Sequence, residues 1–173
     1  MAGPVYAAAV VLPIGLDLPG LDDSKKLTEK KREALFPLIQ ERAAAWSLAW
    51  VEAAEIDATD ILSARMKAMQ LAMDGLTPRP DYALIDGNRD RGKTWAVTTP
   101  HRCIIKGDSL SASIAAASIL AKVSRDHFMV EMAQRYPEYQ FDRHKGYGTR
   151  LHYELLRTYG PSPIHRRTFL KNL

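Results

Sequence analysis

The stretch that decides the fold runs from residue 82 to residue 108. Here Tyr82-Ala83-Leu84-Ile85 leads into Asp86-Gly87-Asn88, and Cys103-Ile104-Ile105 leads into Lys106-Gly107-Asp108. Each apolar run has the length of a buried strand and stops at a polar turn that contains glycine. Because α/β folds bind ligands outside the carboxyl ends of their strands, the pattern predicts neighbouring strands with an acid at each end.

Strands and helices alternate on both sides of this stretch. Residues 5–12 form an almost continuous apolar run, typical of a strand buried on both faces, and residues 46–50 alternate as in a second strand. Helices are predicted over residues 28–45 and over residues 109–136. Between them, a further helix is expected to begin at a cap formed by Asp57 or Thr59. The alternation predicts an α/β domain: a mixed sheet flanked by helices, with a helical C-terminal region.

The composition excludes several classes of protein. The 173 residues suit one domain, residues 1–173, and a single cysteine excludes a disulfide framework. No apolar run approaches the roughly 18 residues of a membrane span, and the start lacks the layout of a secretory signal. With 46% hydrophobic and 25% charged residues the chain is not disordered. We therefore expect a cytoplasmic domain without a membrane partner.

The charge is uneven along the chain. The net charge is +4, yet residues 141–173 carry seven lysines and arginines against two acids, and residues 25–32 hold a second basic cluster. Such patches attract phosphates. On composition alone, helix faces exposed to solvent explain these basic clusters better. The alternative explanation is a basic C-terminal region, about residues 141–173, that binds substrate.

Asp86 and Asp108 are the candidate metal ligands. Carboxylates at neighbouring strand ends can share divalent cations, and Mg²⁺ is often held by one or two of them together with substrate phosphates. A turn at Asp86 and a helix cap at Asp108 explain the same residues without any metal. Asp126 lies 18 residues beyond Asp108, roughly 27 Å along a continuous helix. We therefore interpret Asp126 as structural, paired with Arg125 or with a basic group on a neighbouring helix.

The segment from His144 to Thr149 places Tyr147 between two glycines, with Lys145 beside it. A tyrosine in such a loop can stack on a sugar or base while the lysine and the backbone reach phosphates. A glycine turn with a packed tyrosine is equally compatible with these residues. The five histidines show no spacing typical of a metal site.

Seven ordered blocks together resemble ribonuclease HII, the type 2 ribonuclease H of bacteria. They are residues 2–5 (AGPV), 21–27 (LDDSKKL), 84–88 (LIDGN), 106–109 (KGDS), 113–126 (SIAAASILAKVSRD), 144–147 (HKGY) and 165–169 (HRRTF).

The resemblance implies an RNase H-like fold and an endonuclease that uses Mg²⁺ or Mn²⁺. Such enzymes cleave the RNA strand of RNA–DNA hybrids and nick duplex DNA at embedded ribonucleotides. Two of the family's four catalytic carboxylates match Asp86 and Asp108, which would also be the metal ligands. The residues implied to bind substrate are Lys25, Lys26, Asn88, Lys145 and Tyr147. We expect a monomer.

One departure from the family concerns the start of the chain. The family opens with a central strand that carries Asp-Glu-Ala-Gly-Arg-Gly, whereas this sequence begins at Met1-Ala2-Gly3-Pro4. We therefore expect the first, central strand and two catalytic carboxylates to be missing, through a misassigned initiation codon or a truncated gene. We therefore expect poor cleavage by the chain as written. The alternative function is that of a remnant that binds hybrid duplex without cleaving it.

Overall fold

The computed structural model describes residues 1–22 and 26–171, so the predicted substrate-binding residue Lys25 lies outside the described residues. Strands and helices alternate as expected, which confirms the mixed α/β class. In chain order the elements are β1 (Val5–Val11), α1 (Glu29–Arg42), β2 (Ala45–Val51), α2 (Ala53–Ala58), α3 (Ile61–Asp74), β3 (Ala83–Asp86), β4 (His101–Ile104), α4 (Ala112–Arg135), α5 (Phe141–His144) and α6 (Arg150–Tyr159). Three short 3₁₀ turns cover residues 107–109, 137–139 and 167–169.

In the described part of the chain, β1 to β4 form two separate pairs. β1 and β2 are antiparallel, with Val5 opposite Val51. β3 and β4 are parallel, with Asp86 opposite Ile104. The described residues therefore contain one antiparallel and one parallel two-stranded sheet, and no ladder joins one to the other.

Alternation along β1 determines which helix covers each of its faces. Ala8 and Val10 pack with α1 and α4, in a core that includes Ile119 and Leu120. Ala7 and Ala9 face the other way and pack with the alanines of α3 at positions 64, 68 and 72. Because successive side chains of a strand point to opposite faces, the apolar run of β1 supplies two cores at once.

A groove of about 400 Å³ lies between β1 and β3. Residues 6–12 form one side and residues 82–86 the other, while Ala117 of α4 and Met73 of α3 contribute to its lining. Most of β1 is therefore half-buried, because helices cover its faces while its edge opens on the groove. No strand of residues 1–22 or 26–171 occupies this groove.

The ends of α3 and α4 differ in detail from the sequence-based expectations. Asp60, and neither Asp57 nor Thr59, caps α3 by accepting from the backbone N–H groups of Leu62 and Ser63. The helix α4 begins at Ala112, capped by Ser111, because residues 107–109 form a separate 3₁₀ turn. Across the described part of the chain, no helix combines the length and the apolar character needed to cross a membrane.

Candidate active site

The two acids predicted from the strand ends lie close together. Asp86 is the last residue of β3, and Asp108 follows β4 in the 3₁₀ turn. The backbone N–H of Gly107 donates to Asp86 Oδ1 at 2.9 Å, so the carboxylate of Asp86 is bonded to the residue directly before Asp108. Because β3 and β4 are parallel, both carboxyl ends reach the same edge of the pair, as the sequence predicts.

Gly107 allows this close approach. A Cβ atom at residue 107 would lie 2.6 Å from Ile114 Cδ1 and 3.4 Å from Asp86 Oδ1. Lys106, just before it, has a left-handed backbone with φ of 56°, which turns the chain sharply after β4. The side chain of Asp108 is buried, and Ser111 caps α4 instead. The helix-cap explanation of Asp108 is therefore wrong.

Lys26 brings a positive charge to this edge. Its ammonium donates to Ser109 Oγ at 3.2 Å and pairs with Asp22 Oδ1 at 3.5 Å. More than half of the lysine side chain is exposed. A cation beside the acidic pair can neutralise a phosphate that approaches both carboxylates.

The donor set at this edge fits a hard divalent cation. Asp86 and Asp108 provide carboxylate oxygens, the ligands that Mg²⁺ and Mn²⁺ prefer. The described residues contain no group of three or more histidines, cysteines or acids that could hold a metal. Two carboxylates suit an ion that takes its remaining ligands from water and substrate phosphates.

Tyr147 lies beside the middle of α4. Tyr147 is 53% exposed, with Lys122 Nζ at 5.4 Å and Arg125 Cζ at 5.0 Å from the centre of its ring. Ten residues separate Ala112 from Lys122, about 15 Å along the helix. The structure therefore places the tyrosine and the acid pair at separate points along α4.

Asp126 pairs with a different residue from those expected from the sequence. Asp126 pairs with Lys122 at 2.6 Å, one turn earlier on the same helix, and not with Arg125 or a neighbouring helix. Residues four apart lie on one helix face, whereas adjacent residues do not face each other. Asp126 thus holds the lysine that flanks Tyr147.

The other residues implied to bind substrate occupy two places. Asn88 is exposed directly after Gly87, at the carboxyl end of β3. Lys145 follows α5, and its ammonium donates to the carbonyl of Asp142. Lys145 therefore folds back on its own helix in this structure.

Within the predicted basic C-terminal region, Arg166 has a structural role. Arg166 is buried and donates from Nε to the Gly3 carbonyl at 2.9 Å and from Nη2 to the Pro4 carbonyl at 3.2 Å. Burial lowers the pKa of Arg166 to about 10, and the nearby positive charge of Arg125 adds to this. The exposed basic residues of the region are Arg143, Arg150, Arg157, Arg167 and Lys171.

Sequence reasoning missed a buried cluster of three histidines. His144, His152 and His165 come from separate segments and meet behind the loop that carries Tyr147. It also missed Asp57, which accepts from the backbone N–H groups of Arg167 and Thr168. No local spacing in the sequence signals either contact, because each joins residues that are distant along the chain.

Comparison with known proteins finds relatives over nearly the whole chain. The sequence model of the ribonuclease HII family matches residues 1–172. The ribonuclease HII of Desulfitobacterium hafniense (strain DSM 10664 / DCB-2) is 54% identical over 98% of this chain. That of Neisseria meningitidis serogroup C (strain 053442) is 52% identical over the same share. The chain spans 64% of the first relative's length and 86% of the second's.

Solved structures share the fold. The crystal structure of the ribonuclease H2 from Pyrococcus horikoshii OT3 has a TM-score of 0.72 at 25% identity, covering 96% of this chain and 88% of that one. The crystal structure of Bst-RNase HIII in complex with Mn²⁺ has a TM-score of 0.62 at 17% identity, covering 92% of this chain and 58% of that one. With the family match over almost the whole sequence, the chain belongs to the ribonuclease HII family.

Proposed function

We propose that this protein is a divalent-metal-dependent endoribonuclease. It cleaves the RNA strand of RNA–DNA hybrids and nicks duplex DNA at embedded ribonucleotides. The observation that carries the proposal is the hydrogen bond from Gly107 to Asp86, which holds the carboxylate beside Asp108 at the end of a parallel strand pair. Membership of the ribonuclease HII family supports a catalytic role for this acidic pair.

Asp86 and Asp108 would hold Mg²⁺ or Mn²⁺. Two such ions, when bound, supply an activated water and stabilise the leaving oxygen of the phosphodiester. The protein's own part is orientation: the Gly107 N–H fixes one oxygen of Asp86, and burial of Asp108 fixes the second acid. The Mn²⁺ complex of Bst-RNase HIII, a structure of the same fold, supports a site for such an ion.

The substrate would bind along α4. Lys26 and Asn88 would contact phosphates near the acidic pair, and Lys25 is proposed for the same role from the sequence alone. Tyr147, exposed between Lys122 and Arg125, would stack on a sugar or base. Lys145 would reach a phosphate after releasing the carbonyl of Asp142.

The kind of nucleic acid that we propose as the substrate follows from the same features. Basic residues give affinity for nucleic acid without sequence preference, and only the 2′-OH distinguishes a ribonucleotide from its neighbours in DNA. We propose a monomer that acts in the cytoplasm, where a free thiol such as that of Cys103 stays reduced.

A labelled duplex that contains one ribonucleotide tests the proposal. We expect weak nicking that requires Mg²⁺ or Mn²⁺ and that is abolished in Asp86→Asn and in Asp108→Asn. Asp81→Asn is the matched control, because Asp81 is exposed and precedes β3 instead of ending it. Nicking that survives Asp86→Asn would contradict the proposal. Salt-sensitive hybrid binding without any nicking would support the binding remnant instead.

A further inference from the structure

The three buried histidines form one connected group behind Tyr147. The rings of His144 and His152 stack with centres 4.2 Å apart, and His152 Nε2 lies 2.9 Å from His165 Nε2. All three side chains are at least 94% buried. Phe141 contacts each ring, so the group is enclosed by apolar surface. Buried polar groups in such a place must satisfy one another.

The partners of each ring nitrogen assign the tautomers of His152 and His165. The carbonyl of Tyr147 accepts from His152 Nδ1 at 2.8 Å, so His152 carries its proton on Nδ1 and has a lone pair on Nε2. The backbone N–H of Ser162 donates to His165 Nδ1 at 2.9 Å, which puts the proton of His165 on Nε2. His165 therefore donates to His152, and the hydrogen bonds run in one direction from Ser162 to Tyr147.

His144 holds the same loop from the other side. The backbone N–H of Tyr147 donates to the His144 carbonyl at 2.9 Å. The His144 ring accepts from the Gly146 N–H at 3.2 Å and donates from Nε2 to the Tyr139 carbonyl at 2.8 Å. Both backbone polar groups of Tyr147 are thus bonded to histidines, although its ring stays exposed.

We propose that His152 and His165 are positioning residues for Tyr147. They fix the backbone of Tyr147 by a directed chain of hydrogen bonds that starts in the C-terminal segment at Ser162, so that the ring stays beside Lys122 and Arg125. Their role in substrate binding rests on the proposed function, since it requires Tyr147 to contact the nucleic acid. The fixing of the backbone itself does not depend on the substrate.

Two variants of His152 separate positioning from simple packing. His152→Asn keeps a donor near the position of Nδ1, whereas His152→Leu removes it. We expect hydrogen exchange at the Tyr147 and Thr149 amides to become at least about 10-fold faster in His152→Leu and to stay near the original rate in His152→Asn. His127→Leu, at an exposed histidine, is the control. Unchanged exchange in His152→Leu, or equal acceleration in both variants, would overturn the proposal.

His165→Asn is the milder variant if His152→Leu does not fold. It keeps an acceptor for Ser162 but loses the donor to His152, and the same local increase in exchange is expected. An effect spread evenly over the whole chain, without a maximum at Tyr147, would overturn the proposal.

A double-mutant cycle links the positioning to the substrate. We expect Tyr147→Ala and His152→Leu each to weaken binding of a short RNA–DNA hybrid in EDTA, by about 10-fold and about 5-fold. In the Tyr147→Ala background, His152→Leu should cost no further affinity, because its effect passes through the tyrosine. Additive losses would overturn the positioning role. If Tyr147→Ala binds normally while exchange at residue 147 still responds to His152→Leu, the tyrosine's proposed contact with substrate fails and the positioning stands.

Discussion

The carboxylate of Asp86 and the backbone N–H of Gly107 are joined by a hydrogen bond of 2.9 Å, across the carboxyl ends of two parallel strands. This contact sets how Asp86 is oriented relative to Asp108. It depends on glycine, since the nearest side-chain atoms leave little room for a Cβ at residue 107.

Gly107→Ala tests this dependence. The added methyl group would overlap Ile114 Cδ1, which lies at the flexible end of its side chain, so the free energy of unfolding should fall by only about 1 kcal/mol. Metal-dependent cleavage should fall further, by about 10-fold or more, because small displacements of catalytic groups are costly. Urea unfolding and single-turnover cleavage measure the two effects. Adding Ile114→Val to this variant should restore its stability. A fully active Gly107→Ala variant would show that the close approach of residue 107 to Asp86 is not critical for cleavage.

Lys26→Gln should weaken binding of hybrid duplex. Lys26 lies beside Ser109 at the acidic edge, and its loss should reduce the slope of log K against log salt by about 1. Lys30→Gln is the comparison, because Lys30 is an exposed lysine of the same basic cluster on α1. A titration of affinity against salt concentration measures both. Equal effects of the two substitutions would mean that Lys26 contributes only to the overall positive charge of the protein and makes no specific contact with the duplex.

Stability should fall in mild acid because of the histidine cluster. Burial lowers the pKa of His152 and of His165 from 6.5 to about 4, and repulsion from His144 and from the Met1 amino group, when these are protonated, adds to this. Below pH 6.5 the unfolded chain takes up protons that the folded cluster resists until about pH 4. The free energy of unfolding should therefore decrease across this window and stay free of this effect above it.

Urea unfolding between about pH 7.5 and pH 4.5 measures this decrease. His127→Leu should keep it, since His127 is exposed, whereas His152→Leu should make the pH dependence shallower. A His152→Leu variant with the original pH dependence would contradict the assignment of the effect to this cluster.

Arg166 should contribute to the stability of the fold, whereas its neighbour Arg167 should contribute to binding of nucleic acid. Arg166→Met leaves the carbonyls of Gly3 and Pro4 without a buried donor and should destabilise the fold by about 2–3 kcal/mol. Arg167→Met, at an exposed side chain, should change stability by less than about 0.5 kcal/mol but reduce the salt dependence of hybrid binding. Unfolding and binding measurements on both variants test the contrast. Equal stability of the two variants would refute the structural role of Arg166.

The sequence predicted the parts of the site that depend on local pattern. An apolar run followed by Asp-Gly or Gly-Asp indicates a strand end, and two parallel strands bring Asp86 and Asp108 together for that reason alone. Apolar residues recur at helical spacing from Leu62 to Leu76, and Met66 and Met73 on that face of α3 are buried accordingly. The cap of α3 was harder to place, because Asp57, Thr59 and Asp60 are all chemically suitable and only Asp60 has the required geometry.

What the sequence by itself determined is the family, the order of strands and helices, and the pairing of two acids at one sheet edge. Only the tertiary structure decided that Arg166 is buried and that three histidines meet behind Tyr147. It also decided that Asp57 binds the backbone of residues 167 and 168. The reason is distance along the chain. Periodicity and turn residues determine structure over a few neighbouring positions, whereas these hydrogen bonds join segments that only tertiary packing brings together.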